Sequence, residues 1–146
     1  MADADGAPDA GRARPSGAAE NADYHVAEQR RRDERESAKA QVLVDRFVAD
    51  AVARGLPTEP LTARPWSGTG RYRTDIVGWY LRRDRAIGVG EDGRYYVLVV
   101  APERFGRWRT VHVEPTPPPL QTGRGGRDGD SVALDVLLAM RLDWTD

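Results

Sequence analysis

Residues 71–100 read RYRTDIVGWYLRRDRAIGVGEDGRYYVLVV, and their period decides the fold. Val77, Trp79 and Leu81 alternate with Gly78 and Tyr80, which sends one set to each face of a strand. Arg83-Asp84-Arg85 interrupts that pattern as a turn, and Ile87 and Val89 resume it on a shared face. Glu91-Asp92-Gly93 is the sharpest hairpin signal in the chain, because Asp-Gly supplies the positive φ that a tight hairpin needs. Tyr95–Val100 is apolar on both faces and predicts a central strand covered on both sides. Further on, Thr110–Glu114 alternates again, with Val111 and Val113 inward. The period-two region, 61–114, therefore predicts an antiparallel β-meander of roughly three to five strands.

The flanks carry a different period. Ala40, Leu43, Val44, Phe47, Val48, Ala51 and Val52 recur on one face of a helix that the sequence places at about 24–54. Gly55, followed by Leu56-Pro57, stops it, since Gly takes the left-handed position and Pro cannot continue the turn. Residues 28–37, EQRRRDERES, hold no apolar side chain and read as a charged overhang of that helix, supported by pairs such as Glu28–Arg32, Arg30–Glu34 and Arg32–Glu36. Residues 1–23 lack Val, Ile, Leu and aromatics altogether and read as a disordered acidic tail. Residues 115–130 form a Pro/Gly-rich connector, stiff at Pro115–Pro119 and glycine-rich at 121–129. Asp130 or Ser131 then caps a helix at 132–142 with an apolar face of Leu134, Leu137, Leu138 and Leu142, and Trp144 packs back behind it. The expectation is one α+β domain, 24–146: a long N-terminal helix, the meander and a C-terminal helix, with both helices on one face of the sheet.

Composition narrows the function. The chain has no cysteine, which removes disulfides, thiolate metal sites and cysteine nucleophiles. The first residues hold no apolar run, so no secretory signal is expected, and no stretch approaches the ~20 apolar residues of a membrane span. A cytoplasmic protein that does not engage a membrane is expected. The formal net charge of −1 hides an uneven spread, with residues 64–127 carrying +6 and both ends acidic. All the basic side chains but Lys39 are arginine, a bias that a GC-rich genome produces through codon supply.

Catalytic constellations are scarce. His25 and His112 stand apart, and neither has the clustered partners that a metal site needs. Ser131 could complete a triad with His112 only outside the strand–turn–helix setting that such a nucleophile uses, and its place as a helix cap explains it better. No carboxylate pair has a spacing that suggests general acid–base work. The reading assigns no catalytic residue, no metal ligand and no cofactor, and expects a protein that is not an enzyme.

Two features suit anions. Gly123, Gly125, Gly126 and Gly129, interleaved with Arg124 and Arg127, run into a helix start, where backbone approach and a positive dipole end favour phosphate. The loop matches neither phosphate-loop spacing, and Asp128 and Asp130 oppose an anion, so a flexible connector is the plainer reading. Arg71, Arg73, Arg83 and Arg107 belong to a second set, a sheet in which arginines interleave with Tyr72, Trp79, Tyr80, Tyr95, Tyr96, Phe105 and Trp108. Arginines hold phosphates and aromatics stack on bases, which fits single-stranded nucleic acid. The same aromatics are needed to fill the core, and core is where the sequence reading places most of them.

Gly78-Trp79-Tyr80-Leu81-Arg82-Arg83-Asp84 and Pro117-Pro118-Pro119-Leu120, with Gly123–Ser131 (GRGGRDGDS), resemble a group of short proteins from high-GC Gram-positive (actinobacterial) bacteria. The resemblance covers about 38–142 and implies a cytosolic bacterial protein. It implies no activity, cofactor or site residue. Taken together, the sequence predicts a non-catalytic interaction or accessory protein with a protein partner. The alternative is a nucleic-acid-associated protein whose Arg71, Arg73, Arg83, Arg107, Arg124 and Arg127 share one continuous surface.

Overall fold

The computed structural model describes the backbone at 2–122 and 132–144, and side chains from residue 17 onward within those stretches. The chain divides into two compact units, Met1–Glu36 and Ser37–Asp146. Helix α1 (Ala2–Ala53) begins at Ala2, well before the start near Tyr24 that was expected after a tail without Val, Ile, Leu or aromatics. Alanine, the strongest helix former, supplies eight of residues 1–23. Within the first unit the side chains at 18–26 are exposed, and Arg31 pairs with Glu28 at 3.2 Å, one turn back rather than at the expected i,i+4 spacing.

The second unit is the α+β domain. Its strands are β1 (Glu59–Pro65), β2 (Tyr72–Tyr80), β3 (Ile87–Gly90), β4 (Tyr95–Val97), β5 (Val99–Val100) and β6 (Thr110–Val111). The first four form the expected antiparallel meander, in the order β4-β3-β2-β1. Two parallel pairings are added to it: β5 lies beside β1, and β6 beside the first half of β2. A separate small ribbon joins β7 (Gln121–Thr122) to β8 (Val132–Ala133), and α2 (Leu134–Leu142) follows directly. That helix starts later than expected, with Ala133 at its cap position, and Leu134 N–H bonds to Leu120 C=O at 2.8 Å. Asp130 and Ser131, expected as its caps, lie outside the described residues.

Tyr95–Val100 was expected to run up the middle of a flat sheet, and it does something else. Its first half pairs with β3 and its second half with β1, so the two margins of the sheet meet on one run of chain. Leu98 is the join: its N–H bonds to Ala86 C=O and its C=O accepts from Arg64 N–H, both at 2.8 Å. The sheet thus curls shut around an inner core of Leu61, Ala63, Tyr72, Tyr80, Tyr96 and Leu98, capped by Val111 and Val113. So few strands leave little interior room. Gly88 meets that limit, because a Cβ there would come within 2.8 Å of Leu61 and 3.1 Å of Leu98.

A bulge supplies the bend. Pro60 faces Val77 and Thr62 faces Arg73, so Thr74-Asp75-Ile76 on β2 oppose Leu61 alone on β1. Extra residues on one strand bend it and raise its twist. They also break the ladder, and two hydroxyls replace what is lost. Thr62 N–H donates to Tyr80 Oη at 2.8 Å, and Thr74 Oγ1 donates to Leu61 C=O at 2.6 Å. Tyr80→Phe would leave Thr62 N–H without an acceptor beside the core. We expect it to lose about 1–3 kcal/mol in a urea titration while keeping the native circular-dichroism spectrum. An unchanged midpoint would mean that the hydroxyl does not support the bulge.

The outer face of the curled sheet carries both helices, as expected. Ala40, Val44, Phe47 and Ala51 of α1 and Leu134, Leu137 and Leu138 of α2 pack on Trp79, Leu81, Ile87, Val89 and Tyr95. Leu43 and Val48 are half-buried beside them, whereas Val52, read as part of the stripe, faces solvent. Burial raises the Tyr95 phenol to about 12. No helix among the described residues is long and apolar enough to cross a membrane.

Candidate binding site

Closure of the sheet brings two connections to the same end. One is the turn between β1 and β2, residues 66–71, and the other is the loop between β5 and β6, residues 101–109. The ends of β1 and β5 run parallel there, as do the starts of β2 and β6, so both connections emerge together. Tyr72 fastens the longer loop. Its Oη accepts from Glu103 N–H at 3.1 Å, and its ring lies where a side chain on Gly106 would strike at 2.7 Å. Gly106 opens a single 3₁₀ turn, Gly106–Trp108, preceded by Phe105 at φ 63°. Backbone strain of that kind in a non-glycine residue turns the chain sharply and leaves the Phe105 ring outside.

Large aromatic side chains are exposed at this end. Trp66 is 69% exposed, Phe105 58% and Trp108 73%. The Phe105 and Trp108 rings lie 6.1 Å apart, and the Arg104 guanidinium stands 5.1 Å from the Phe105 ring. On the other loop, Trp66 borders a cleft of about 740 Å³ that also includes Arg64, Gly68, Thr69 and Gly70. That volume falls in the roughly 300–1,000 Å³ range of small-molecule clefts. Arg107 links the two loops: its guanidinium sits against Gly70, 3.0 Å from where a Cβ would stand. Gly70 has φ +101° and Gly68 φ +85°, so the floor of the cleft is bare backbone in a conformation that other residues rarely adopt.

The structure therefore gathers three of the candidate arginines. Arg71 bonds to Thr62 Oγ1 at 2.6 Å, Arg73 is exposed opposite Thr62 and beside Thr110, and Arg107 covers Gly70. Arg83 is not among them. It lies in the turn after β2, at the far end of that strand, with its guanidinium 4.6 Å from the Trp144 ring. Arg141 approaches the same ring at 4.5 Å and donates to Tyr80 C=O at 2.7 Å, so that region is structural. Arg124, Arg127 and the glycines Gly123, Gly125, Gly126 and Gly129 lie outside the described residues.

Sequence reading grouped Phe105 and Trp108 with the arginine-interleaved aromatics, most of which it placed in the core, and passed over Trp66. A signal was present in Pro65-Trp66-Ser67-Gly68-Thr69-Gly70: a large ring inside a run of turn-forming residues has no strand or helix to carry it inward. Arg64 was likewise not singled out, yet it and Arg104 are both exposed within this end.

A second groove, of about 340 Å³, opens where β6 leaves β2 and is bordered by Asp75, Glu91, Asp92, His112 and Glu114. His112 Nε2 lies 2.9 Å from Glu114 Oε1, with both side chains largely exposed. Burial, followed by the Asp92 carboxylate that accepts its hydrogen bond at 3.2 Å, raises the pKa of Tyr96. Among the described residues no three histidine or carboxylate groups converge as a metal site. Comparison of the chain with protein-family models, with curated proteins and with solved structures gave no match.

Proposed function

We propose that this chain is a non-catalytic interaction protein that engages its partner through the aromatic end of the closed sheet. The observation that supports this reading is the exposure of Trp66, Phe105 and Trp108 on two loops held together by Tyr72 and Arg107. Exposing rings of this size to water is unfavourable, and tryptophan, tyrosine and arginine dominate the centres of binding surfaces. The loops are fixed rather than loose, so little ordering cost falls on binding. The same proposal places the protein in a bacterial cytosol, on its cysteine-free composition and on the resemblance of residues 38–142 to actinobacterial proteins.

Affinity purification of the tagged full chain from its host tests this. The wild type is compared with the double variant Trp66→Ala/Trp108→Ala, with half of each sample treated with nuclease. Both side chains are exposed, so the variant should keep the wild-type melting temperature. We expect it to lose at least tenfold of the specifically retained material. A variant that retains everything would move the partner surface elsewhere.

A further inference from the structure

From the chemistry of this end we infer that its partner is a single strand of nucleic acid, with bases stacked on Trp66 and Trp108 and phosphates held by Arg64, Arg73, Arg104 and Arg107. The inference rests on the reading of this end as the binding surface. Its first support is charge. Residues 64–73 and 101–109 hold six arginines and one acid, Glu103. An even spread of the chain's basic and acidic residues would put about three of each in those 19 positions. Codon supply explains arginine in place of lysine; it does not explain the shortage of acids. Glu103 is also engaged, 3.2 Å from Arg109. A chain of net charge −1 thus presents one locally basic end.

The second support is how the charges and rings are arranged. Arg104 faces the Phe105 ring and Arg107 lies against Gly70 of the other loop, so guanidinium groups border the Phe105–Trp108 ring pair. Rings bordered by arginines suit a ligand that is itself both flat and anionic, which a single strand is. The third support is the cleft floor. Gly68, with nothing within 4 Å of its Cβ position, leaves backbone bare beside Trp66, where a base or a phosphate can come close. A duplex fits less well, since among the described residues the loops 66–71 and 101–109 carry neither an α-helix nor a projecting ribbon to enter a groove.

The test is titration of the full chain with dT12, rU12 and a 12-base-pair duplex, read by tryptophan emission and by anisotropy. We expect quenching and a preference for the single strands. Affinity should fall roughly fiftyfold between 50 and 200 mM salt if about four phosphates are contacted. Trp66→Ala and Trp108→Ala should each weaken binding roughly five- to a hundredfold, the range of one lost stack. Arg107→Gln should lower the salt slope by about 0.7. Binding that ignores these three substitutions, or that favours the duplex, overturns the inference. So does binding to anionic phosphatidylglycerol vesicles with no binding to either oligonucleotide, which would make the end a lipid-surface contact. If the oligonucleotides fail but the tryptophan double variant still loses nuclease-resistant partners, the binding surface stands and the ligand is protein. If both fail, the surface falls with the ligand.

Discussion

Adding one methyl group at Gly78 is expected to strip the domain of a large share of its stability. Gly78 lies in the middle of β2, paired with Glu59 on one side and Gly90 on the other. A Cβ there would stand 2.1 Å from the Val89 carbonyl oxygen and 2.7 Å from Gly90 Cα. Neither is the movable end of a side chain. Relief requires β2 and β3 to part, and the curled sheet opposes this because β3 is tied through β4 and Leu98 back to β1. Ordinary overpacking costs about 1–3 kcal/mol, since side chains can shift. A clash with backbone inside a closed sheet should exceed that, at about 4 kcal/mol or more. Against a total stability of about 5–15 kcal/mol for a domain of this size, Gly78→Ala removes a large share of the margin. Urea titration with Gly17→Ala as the contrast checks it. Gly17 is helical with nothing within 4 Å of its Cβ position, so alanine there should be neutral or stabilise by up to about 1 kcal/mol. Equal midpoints for Gly78→Ala and wild type would mean that β2 and β3 are not packed as described.

The same closure marks where sequence reading stops. Helical period identified Ala40, Val44, Phe47 and Ala51 because a buried helix face must repeat on its own turn, wherever its partner lies. Asp92-Gly93 was legible because a left-handed backbone strongly selects glycine, and Gly93 does sit at φ +83°. Period two likewise assigned Trp79 and Leu81 to one face and Tyr80 to the other. It says which face a residue takes and nothing about which edge its backbone meets. Leu98 therefore looked like one more residue of a central strand, although its N–H and C=O join opposite margins of the sheet. The candidate site was harder for the same reason. Arg73 and Arg107 come to the same end of the sheet only because β6 returns parallel to β2, a pairing that no local pattern encodes. Phe105 and Trp108 belonged to a set of aromatics read mostly as core because the strands need a core filled. Their exposure follows from the turn at Phe105, which is visible only as a dihedral angle.

Trp79→Ala should be the most damaging large-to-small change, and its partner variant separates the two reasons. Trp79 is 1% exposed, its ring meets Phe47 edge-on at 5.7 Å, and Nε1–H donates to Leu56 C=O at 3.1 Å. It is thus where the sheet holds α1 and the turn that ends it, since Leu56 N–H in turn bonds to Ala51 C=O. Alanine leaves a cavity between sheet and helix and strips an acceptor of its donor. Phe or Trp truncation in a core costs about 3–5 kcal/mol, and the orphaned carbonyl adds about 1 kcal/mol. Trp79→Phe keeps most of the ring volume and the contact with Phe47 but removes the indole N–H, so it should cost about 1–3 kcal/mol. Urea titration gives both numbers. If alanine and phenylalanine cost the same, the hydrogen bond to Leu56 governs and the packing of α1 on Trp79 matters little. If phenylalanine costs nothing, packing alone holds α1 to the sheet. The expected order, alanine far worse than phenylalanine and phenylalanine worse than wild type, requires both. Trp79 points to the helix face and Trp66 and Trp108 lie on loops at the end of the sheet, so Trp79→Phe should lower stability while leaving the exposed aromatic surface intact. A loss of ligand binding by that variant at full folding would place the functional surface on the helix side and argue against the aromatic end.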